Sequence, residues 1–158
     1  MNPVASFFYQ LFINRILWDG LISWAVAQVA KAIINACMTH RFSRERLFGD
    51  GGMPSGHSAT VTSVALATGA ECGFDSPVFA VAAIVAIIVM HDAMGVRYET
   101  GKQAKVLNRM IDLFKDMGDT EISNEKKLKE FVGHSPMQVL AGFALGVVVT
   151  VVFYACVR

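Results

Sequence analysis

Three stretches of the chain contain no Asp, Glu, Lys or Arg: residues 57–70, 77–90 and 135–157. The last stretch is long enough to cross a bilayer core of about 30 Å as a helix. The two shorter stretches flank a short link over residues 71–76, as the arms of a helical hairpin do. Both are rich in Ala, Val and Ile on most faces and have no charged stripe. These runs predict a membrane protein built from several helices.

The composition favours the same class of protein. Apolar residues make up 54% of the 158 residues and charged residues 17%, against about 45–50% and about 25% in an ordinary soluble domain. The net charge of +1 disfavours a nucleic-acid partner. Cys37, Cys72 and Cys156 are far apart in the sequence and show neither disulfide nor zinc spacing. We therefore expect all three cysteines to be buried and to pack as small apolar residues.

A fourth apolar stretch, residues 16–38, carries Asp19 and Lys31. Ionisable groups inside a span are costly, and both residues are therefore functional candidates. The apolar, aromatic stretch 3–13 predicts a possible short helix at the membrane interface. The expected fold is an all-α polytopic membrane bundle in a single domain, residues 1–158, with four main helices at 16–38, 57–72, 77–92 and 136–157.

This helix order places the links 39–56 and 93–135 on one side of the membrane. The 71–76 link and both termini lie on the other side. Eleven of the thirteen basic residues outside the helices fall on the first side, and only Arg15 and Arg158 lie opposite. By the positive-inside rule the first side is cytoplasmic. We expect an integral protein of the bacterial inner membrane or an equivalent organelle membrane.

Residues 99–117 predict an amphipathic helix. Its apolar residues recur at i, i+3 and i+4, whereas its basic residues lie largely on other faces. Two interpretations stay open, a helix lying on the membrane surface and a helix packed against the rest of the domain. A polar break over 118–124 and a short helix over 125–132 are predicted to follow.

The segment Met53-Pro54-Ser55-Gly56-His57-Ser58 is the sharpest local motif. Ser55 suits the N-cap of a helix, whose first N–H groups bind anions and phosphate above all. Gly56 allows an oxyanion to approach the backbone, and His57 adds an imidazole that titrates near neutral pH. The motif fits either a phosphate site or an ordinary loop-to-helix turn.

A second motif starts at Gly133 and runs into the last predicted helix. Pro136 fits the first turn of that helix, His134 lies just outside it, and Gln138 lies one turn on, within reach of the imidazole. The predicted topology brings the polar candidates to one end of the bundle: Lys31, Ser55, His57, Asp92, Arg97 and His134.

The PSGH segment, followed by an apolar helix and a later His-x-x-x-x-Val-Leu-Ala-Gly, resembles the type-2 phosphatidic acid phosphatases. That superfamily also contains the vanadium haloperoxidases. The chain is most similar to a small divergent branch, the acid phosphatase/vanadium-dependent haloperoxidase-related proteins. The matching segments are spread over nearly the whole chain: 27–31, 51–59, 91–97, 101–104, 107–108 and 129–142.

The resemblance implies a role for each candidate residue. His134 matches the histidine that attacks phosphorus, and His57 matches the one that protonates the leaving oxygen. The implied phosphate-binding residues are Lys31, Arg41, Ser55, Gly56 and Arg97. The resemblance implies a lipid phosphate or pyrophosphate substrate and requires neither a metal nor another cofactor.

Gln138 is the main departure from the family pattern, because it occupies the position of the carboxylate that orients the nucleophile. We expect Gln138 to orient His134, with Asp92 or Glu130 as candidate substitutes for the missing carboxylate. Asp92 therefore joins His134 and His57 among the catalytic candidates. The family arginine six residues before the nucleophile is replaced by Leu128.

The sequence thus predicts a membrane phosphatase that acts on a lipid phosphate or pyrophosphate through a phosphohistidine. One alternative is a non-catalytic membrane protein that binds anionic lipid at the same cationic pocket, an interpretation that Gln138 favours. Another is metal-dependent hydrolysis through His57, His91, Asp92 and His134, which lack a chelating His-x-x-x-His pair.

Gly142 and Gly146 form a small-x-x-x-small pair in the last predicted helix. Such a pair lets two helix backbones approach closely. It predicts a possible homodimer or, equally, close packing between helices of the same chain.

Overall fold

A computed structural model of the protein describes residues 2–39, 52–117, 127–128 and 133–157. Within these ranges the regular structure is helical and contains no strand. Arg41 and Glu130 lie outside the described residues, as do the predicted break at 118–124 and most of the predicted helix at 125–132. The helices are α1 (Pro3–Phe12), α2 (Arg15–Thr39), α3 (Gly56–Cys72), α4 (Pro77–Met94), α5 (Val96–Asp116) and α6 (Pro136–Cys156).

The observed helices confirm the predicted all-α membrane bundle. The four main helices begin and end within two residues of the predicted bounds, and the predicted N-terminal and amphipathic helices are present as α1 and α5. Their starts follow from local chemistry, because a side chain caps each of four helices, and proline occupies the first turn of three of them. The capping residues are Asn2, Ser55, Ser76 and Ser135.

Helix α3 is the centre of the bundle and packs against α2, α4 and α6. Its buried positions are occupied by Gly, Ala, Ser and Thr, so neighbouring backbones come close. A Cβ atom on Gly146 would lie 2.6 Å from the carbonyl oxygen of Ala59, and one on Gly142 would meet the carbonyl oxygen of Ser55. The small-x-x-x-small pair of α6 therefore packs against α3 of the same chain.

A buried polar cluster joins three of the helices. Asp19 of α2 is fully buried, and its Oδ2 accepts hydrogen bonds from Ser63 of α3 and Thr150 of α6, each at 2.7 Å. Ser23 of α2 donates to the carbonyl oxygen of Ala59 at 3.0 Å. In an apolar bundle, hydrogen bonds of this kind fix the register between helices.

Contacts at the two ends of the bundle show how the helices alternate. Arg15, at the start of α2, forms an ion pair of 3.6 Å with Glu71, near the end of α3. At the opposite end the backbone N–H of His134 donates to the carbonyl oxygen of Ala93, near the end of α4, at 3.0 Å. The start of α3, the end of α4 and the start of α6 therefore share the end that carries His134, which we call the site end.

The protein is an integral membrane protein. Helices α2 and α6 and the α4–α5 stretch Pro77–Asp116 are long and apolar enough to cross a membrane. Helix α3 has 17 residues, about 25 Å at the rise of an α-helix, and runs between them.

The prediction that the cysteines are buried is wrong. Cys37, Cys72 and Cys156 are all exposed. They lie at or near the ends of α2, α3 and α6, on the outer surface of the bundle. In a membrane protein this surface itself meets an apolar solvent, so an apolar residue need not be inside.

Candidate active site

His134 is held in place by the end of α4 and the start of α5. Its backbone N–H donates to Ala93, as described above. Gly133, just before it, has a φ of +94° and touches the backbone of Arg97 and Tyr98 so closely that any side chain there would clash. The sequence therefore needs glycine at this position in order to bring the histidine against α4 and α5.

The His134 ring is oriented by the first turn of α6. The residue is 3% exposed, and its Nδ1 lies 3.3 Å from Oε1 of Gln138. The same oxygen accepts the backbone N–H of Ser135 at 3.0 Å, and the Ser135 hydroxyl accepts the backbone N–H of Gln138, which completes a capping box.

This capping box assigns the histidine tautomer. Because the Ser135 N–H is a donor, the amide atom that faces it must be the Gln138 oxygen and not its nitrogen. The same oxygen faces Nδ1 of His134, so the neutral ring carries its proton on Nδ1. Nε2 is then left with the lone pair that a nucleophile needs.

The surroundings of His134 favour the neutral ring. Burial lowers the pKa of His134 below its ordinary value, and electrostatic repulsion from its neighbours His57 and Lys31 lowers it further. Hydrogen bonds that the protonated ring would donate to the Gln138 side chain and the Gly52 backbone raise the pKa, but burial outweighs them. The imidazole is consequently unprotonated at neutral pH.

His57 lies beside this ring on the first turn of α3. The ring centroids of His57 and His134 are 6.0 Å apart, with 63° between the planes. His57 is exposed, whereas His134 is buried. The two imidazoles are therefore close enough for one phosphate group to contact both, and His57 is the one open to water.

Ser55 builds the start of α3. It is fully buried, and its hydroxyl oxygen accepts hydrogen bonds from the N–H of Ser58 at 3.3 Å and from the Ser58 hydroxyl at 3.0 Å. Its own N–H donates to the carbonyl oxygen of Gln138 at 2.9 Å. This bond ties the PSGH segment to α6, and it leaves the first turn of α3, with Gly56, beside the two histidines.

Lys31 is a buried cation on α2. It is 4% exposed, and a Cβ atom on Gly52 would lie 3.2 Å from its Cγ atom. Gly52 has a φ of +94°, so it both permits the turn and makes room for the lysine side chain. The influence of Lys31 on the His134 pKa means that its charge is close to the candidate nucleophile.

Asp92 and Arg97 form the rim of the site. Arg97 Nε lies 3.1 Å from Asp92 Oδ2, and both side chains are about half exposed. The structure therefore pairs Asp92 with Arg97, and the orienting contact of His134 goes to Gln138. Within the described ranges, no three His, Cys, Asp or Glu side chains are arranged to hold a metal ion.

Gln28 is a polar residue of this region to which the sequence analysis gave no role. Its Oε1 is buried without a hydrogen-bond partner, and its Nε2 lies 3.6 Å from where a Cβ atom of Gly56 would be. It precedes Lys31 by three residues, so both lie on one face of α2. That spacing was visible in the sequence, but the missing partner was not.

A helical membrane bundle with two histidines at the N-terminus of a helix is typical of PAP2-like membrane proteins. The model of the Divergent PAP2 family matches residues 12–149, and the chain belongs to this family. A relative from Bacillus subtilis (strain 168), named "Uncharacterized membrane protein YuiD", is 38% identical over 151 residues, covering 90% of this chain and 96% of the relative. No solved structure matches the chain.

Proposed function

We propose that the protein is a membrane phosphatase that hydrolyses a lipid phosphate or pyrophosphate through a phosphohistidine at His134. One observation carries the proposal: the neutral ring of His134 is fixed by Gln138 so that Nε2 is available, with His57 6.0 Å away between ring centroids. A purely structural histidine would not need a second imidazole beside it, and a simple anion site would more naturally use Arg and Lys.

The reaction proceeds in two displacements at phosphorus. In the first, Nε2 of His134 forms a bond to phosphorus while the bond to the leaving oxygen breaks, and His57 gives that oxygen a proton. In the second, His57 takes a proton from water, the water oxygen bonds to phosphorus, and the bond to Nε2 breaks. Orthophosphate leaves, and both rings return to their starting states.

The remaining residues stabilise charge on the transferring group. In this proposal Lys31 and Arg97 supply positive charge, Arg41 is a further cation for the phosphate, and the N–H groups at the start of α3, near Gly56, donate to phosphate oxygens. Asp92 has the role of holding the Arg97 guanidinium through their 3.1 Å contact. The proposed mechanism uses no cofactor.

The substrate is proposed to be a lipid because its headgroup would reach the site from the membrane. Lys31 belongs to a helix long and apolar enough to span the bilayer, and the site end contains the ends of spanning helices. The excess of basic residues at this end supports a cytoplasmic-facing site, which takes substrate from the inner leaflet.

A second candidate function is the binding of anionic lipid without catalysis. The observation that favours it is Gln138 itself, since an amide cannot stabilise an imidazolium as a carboxylate does.

The predicted homodimer also stays a prediction. Its sequence motif, Gly142 and Gly146, is covered by α3 within the chain, and mass measurement in detergent tests it.

Phosphate release from a panel of lipid phosphates by the purified protein in detergent tests the proposal. We expect His134→Ala to abolish release and His57→Ala to lower it by about 10²–10⁴-fold with poor leaving groups. His91→Ala is the matched control and should keep wild-type activity. His91 is an exposed histidine near the C-terminal end of α4, which lies at the site end. Turnover that survives in His134→Ala contradicts the mechanism. Lipid binding without any turnover supports the second candidate.

A further inference from the structure

Helix α5 has three distinct sides around its axis, at about 100° per residue. One side is buried and consists of small or polar residues, a second is charged, and a third is apolar and exposed. The buried side is formed by Gly101, Ala104 and Asn108. The exposed side, which we call the apolar arc, is formed by Val106, Leu107, Met110, Leu113 and Phe114, together with Met117 just after the end of the helix.

Among the described residues, α5 is held by contacts of its buried side and of Asp112 on its charged side, and the apolar arc stays uncovered. Asn108 holds Leu128 by two hydrogen bonds, one from its Nδ2 to the Leu128 carbonyl oxygen and one from the Leu128 N–H to its Oδ1, both 2.9 Å. Lys127 adds an ion pair of 2.8 Å with Asp112.

Residues of the apolar arc are strongly exposed among the described parts of the chain. Leu113 is 62% exposed and Met117 80%. An open groove of about 410 Å³ runs along the same region, lined by Lys102, Gln103, Val106 and Leu107. Large apolar faces that stay uncovered on a folded protein indicate a partner.

The position of α5 in the chain identifies a membrane surface as that partner. Helix α4 is the apolar first part of the stretch Pro77–Asp116, which is long and apolar enough to cross a membrane. It ends at Met94, and α5 begins at Val96. Gly95 between them has φ −94° and ψ −99°, far from helical values, so the chain can change direction there. Helix α5 therefore starts at the level where the chain leaves the bilayer.

The charge of α5 also fits a membrane surface. The helix contains five basic and three acidic residues. Lys102 and Arg109 lie at the edge of the apolar arc, where long basic side chains bury their stems and extend their charges to headgroups. We propose that α5 lies in the headgroup region of the membrane at the site end, with its apolar arc on the acyl chains and its basic edge on anionic lipid.

This proposal is independent of catalysis, so it stands whether or not the protein is a phosphatase. It chooses the first of the two interpretations of the amphipathic segment. It also places an anionic-lipid surface beside the candidate site, since Gly133, next to His134, touches the backbone at the start of α5.

Spin-label accessibility tests the proposal in bilayer nanodiscs that contain a zwitterionic lipid and a minority of phosphatidylglycerol. Single cysteines replace Leu113, on the apolar arc, and Asp116, on the charged side, in a variant whose three exposed native cysteines are changed to alanine. We expect the label at 113 to be accessible to oxygen and protected from a water-soluble nickel complex, with an oxygen-to-nickel ratio several-fold above that at 116.

Three results would contradict the proposal. Equal nickel access at 113 and 116 would mean that the arc faces water. Low access to both reagents at 113 would mean that protein covers the arc, either another segment of this chain or a second copy. Removing the phosphatidylglycerol should lower the ratio at 113, and an unchanged ratio would contradict the contacts with anionic headgroups.

Discussion

At the scale of single residues, Gln138 sets the tautomer of the candidate nucleophile, and burial sets its protonation state. It fixes the His134 tautomer through an oxygen that also accepts the Ser135 N–H. As a neutral group it holds the ring without adding a negative charge. Because burial lowers the pKa of His134, the ring stays neutral to a lower pH than an ordinary histidine does.

The first prediction concerns the pH profile of turnover. Protonation removes the nucleophilic lone pair, so the acidic limb of kcat/KM should lie below the ordinary histidine pKa of about 6.5. Gln138→Glu should move this limb to higher pH, because a carboxylate raises the pKa of the imidazole. Glutamate also suits a capping box, so the fold should tolerate the change. An unshifted limb in Gln138→Glu would show that another group sets the profile.

The second prediction concerns Gln28. A buried polar atom without a partner calls for an explanation, and Gln28 Oε1 lies beside the start of α3 because its amide nitrogen packs near Gly56. Because Oε1 can only accept, we expect it to take a hydrogen bond from a P–OH group of a monoanionic phosphate substrate. Gln28→Ala should then raise KM by about tenfold or more, the value of a hydrogen bond to a charged group, while kcat changes less.

Gln10→Ala is the control for this prediction, since Gln10 is an exposed glutamine on α1. Steady-state kinetics on a lipid phosphate in detergent measures both variants. Equal KM values for Gln28→Ala and the wild type would show that Gln28 does not bind the substrate and only packs between α2 and α3.

Sequence reasoning placed some site residues well and others poorly, for physical reasons. The pairing of His134 with Gln138 follows from one helical turn, so the sequence alone predicts it. The pairing of Asp92 with Arg97 crosses a helix break, and the unpartnered oxygen of Gln28 depends on packing between two helices. Such tertiary facts leave no local signal in the chain.

At the scale of helices, α3 and α6 are held together by backbone contact. The third prediction is that Gly146→Leu lowers the thermal unfolding temperature in detergent, because the new side chain would meet the Ala59 backbone. Overpacking of this kind costs about 1–3 kcal/mol or more. Ala144→Leu, on an exposed face of the same helix, is the control and should change little.

An alternative outcome would contradict this assignment. If Gly146→Leu kept its stability but converted a dimer to a monomer, the glycine pair would be an interface between copies. The bounds of α6 themselves were predictable, because Ser135 and Pro136 mark its start locally. The glycine pair marked the contact face of α6, but the sequence did not show whether that face meets α3 or a second copy, since both use the same motif.

At the scale of the whole molecule, the alternating helices gather the site residues at one end. The fourth prediction is that this end faces the cytoplasm. A single cysteine in the 43–50 link of a cysteine-free variant should resist a membrane-impermeant thiol reagent in intact cells and react after lysis. A single cysteine in the 73–76 link, at the opposite end, is the matched control and should react without lysis. The reverse pattern would invert the topology.

The overall architecture was predictable because charge-free runs, prolines and capping residues are local. The exposure of the cysteines was not predictable, because an apolar residue of a membrane protein can face lipid on the outer surface as well as the protein interior. The orientation of α5 also depends on contacts with Leu128 that are distant in sequence.

The central claim is that His134 becomes phosphorylated, and trapping of the intermediate tests it most directly. An aryl phosphate with a good leaving group needs little help from an acid in the first step, whereas the second step needs His57 as base. His57→Ala should therefore accumulate phosphoprotein when it is quenched at alkaline pH during turnover. Peptide mass spectrometry should find one phosphoryl group on His134, and none in a variant that also carries His134→Ala. Phosphate release without this modification, or a modification that persists without His134, would contradict the account.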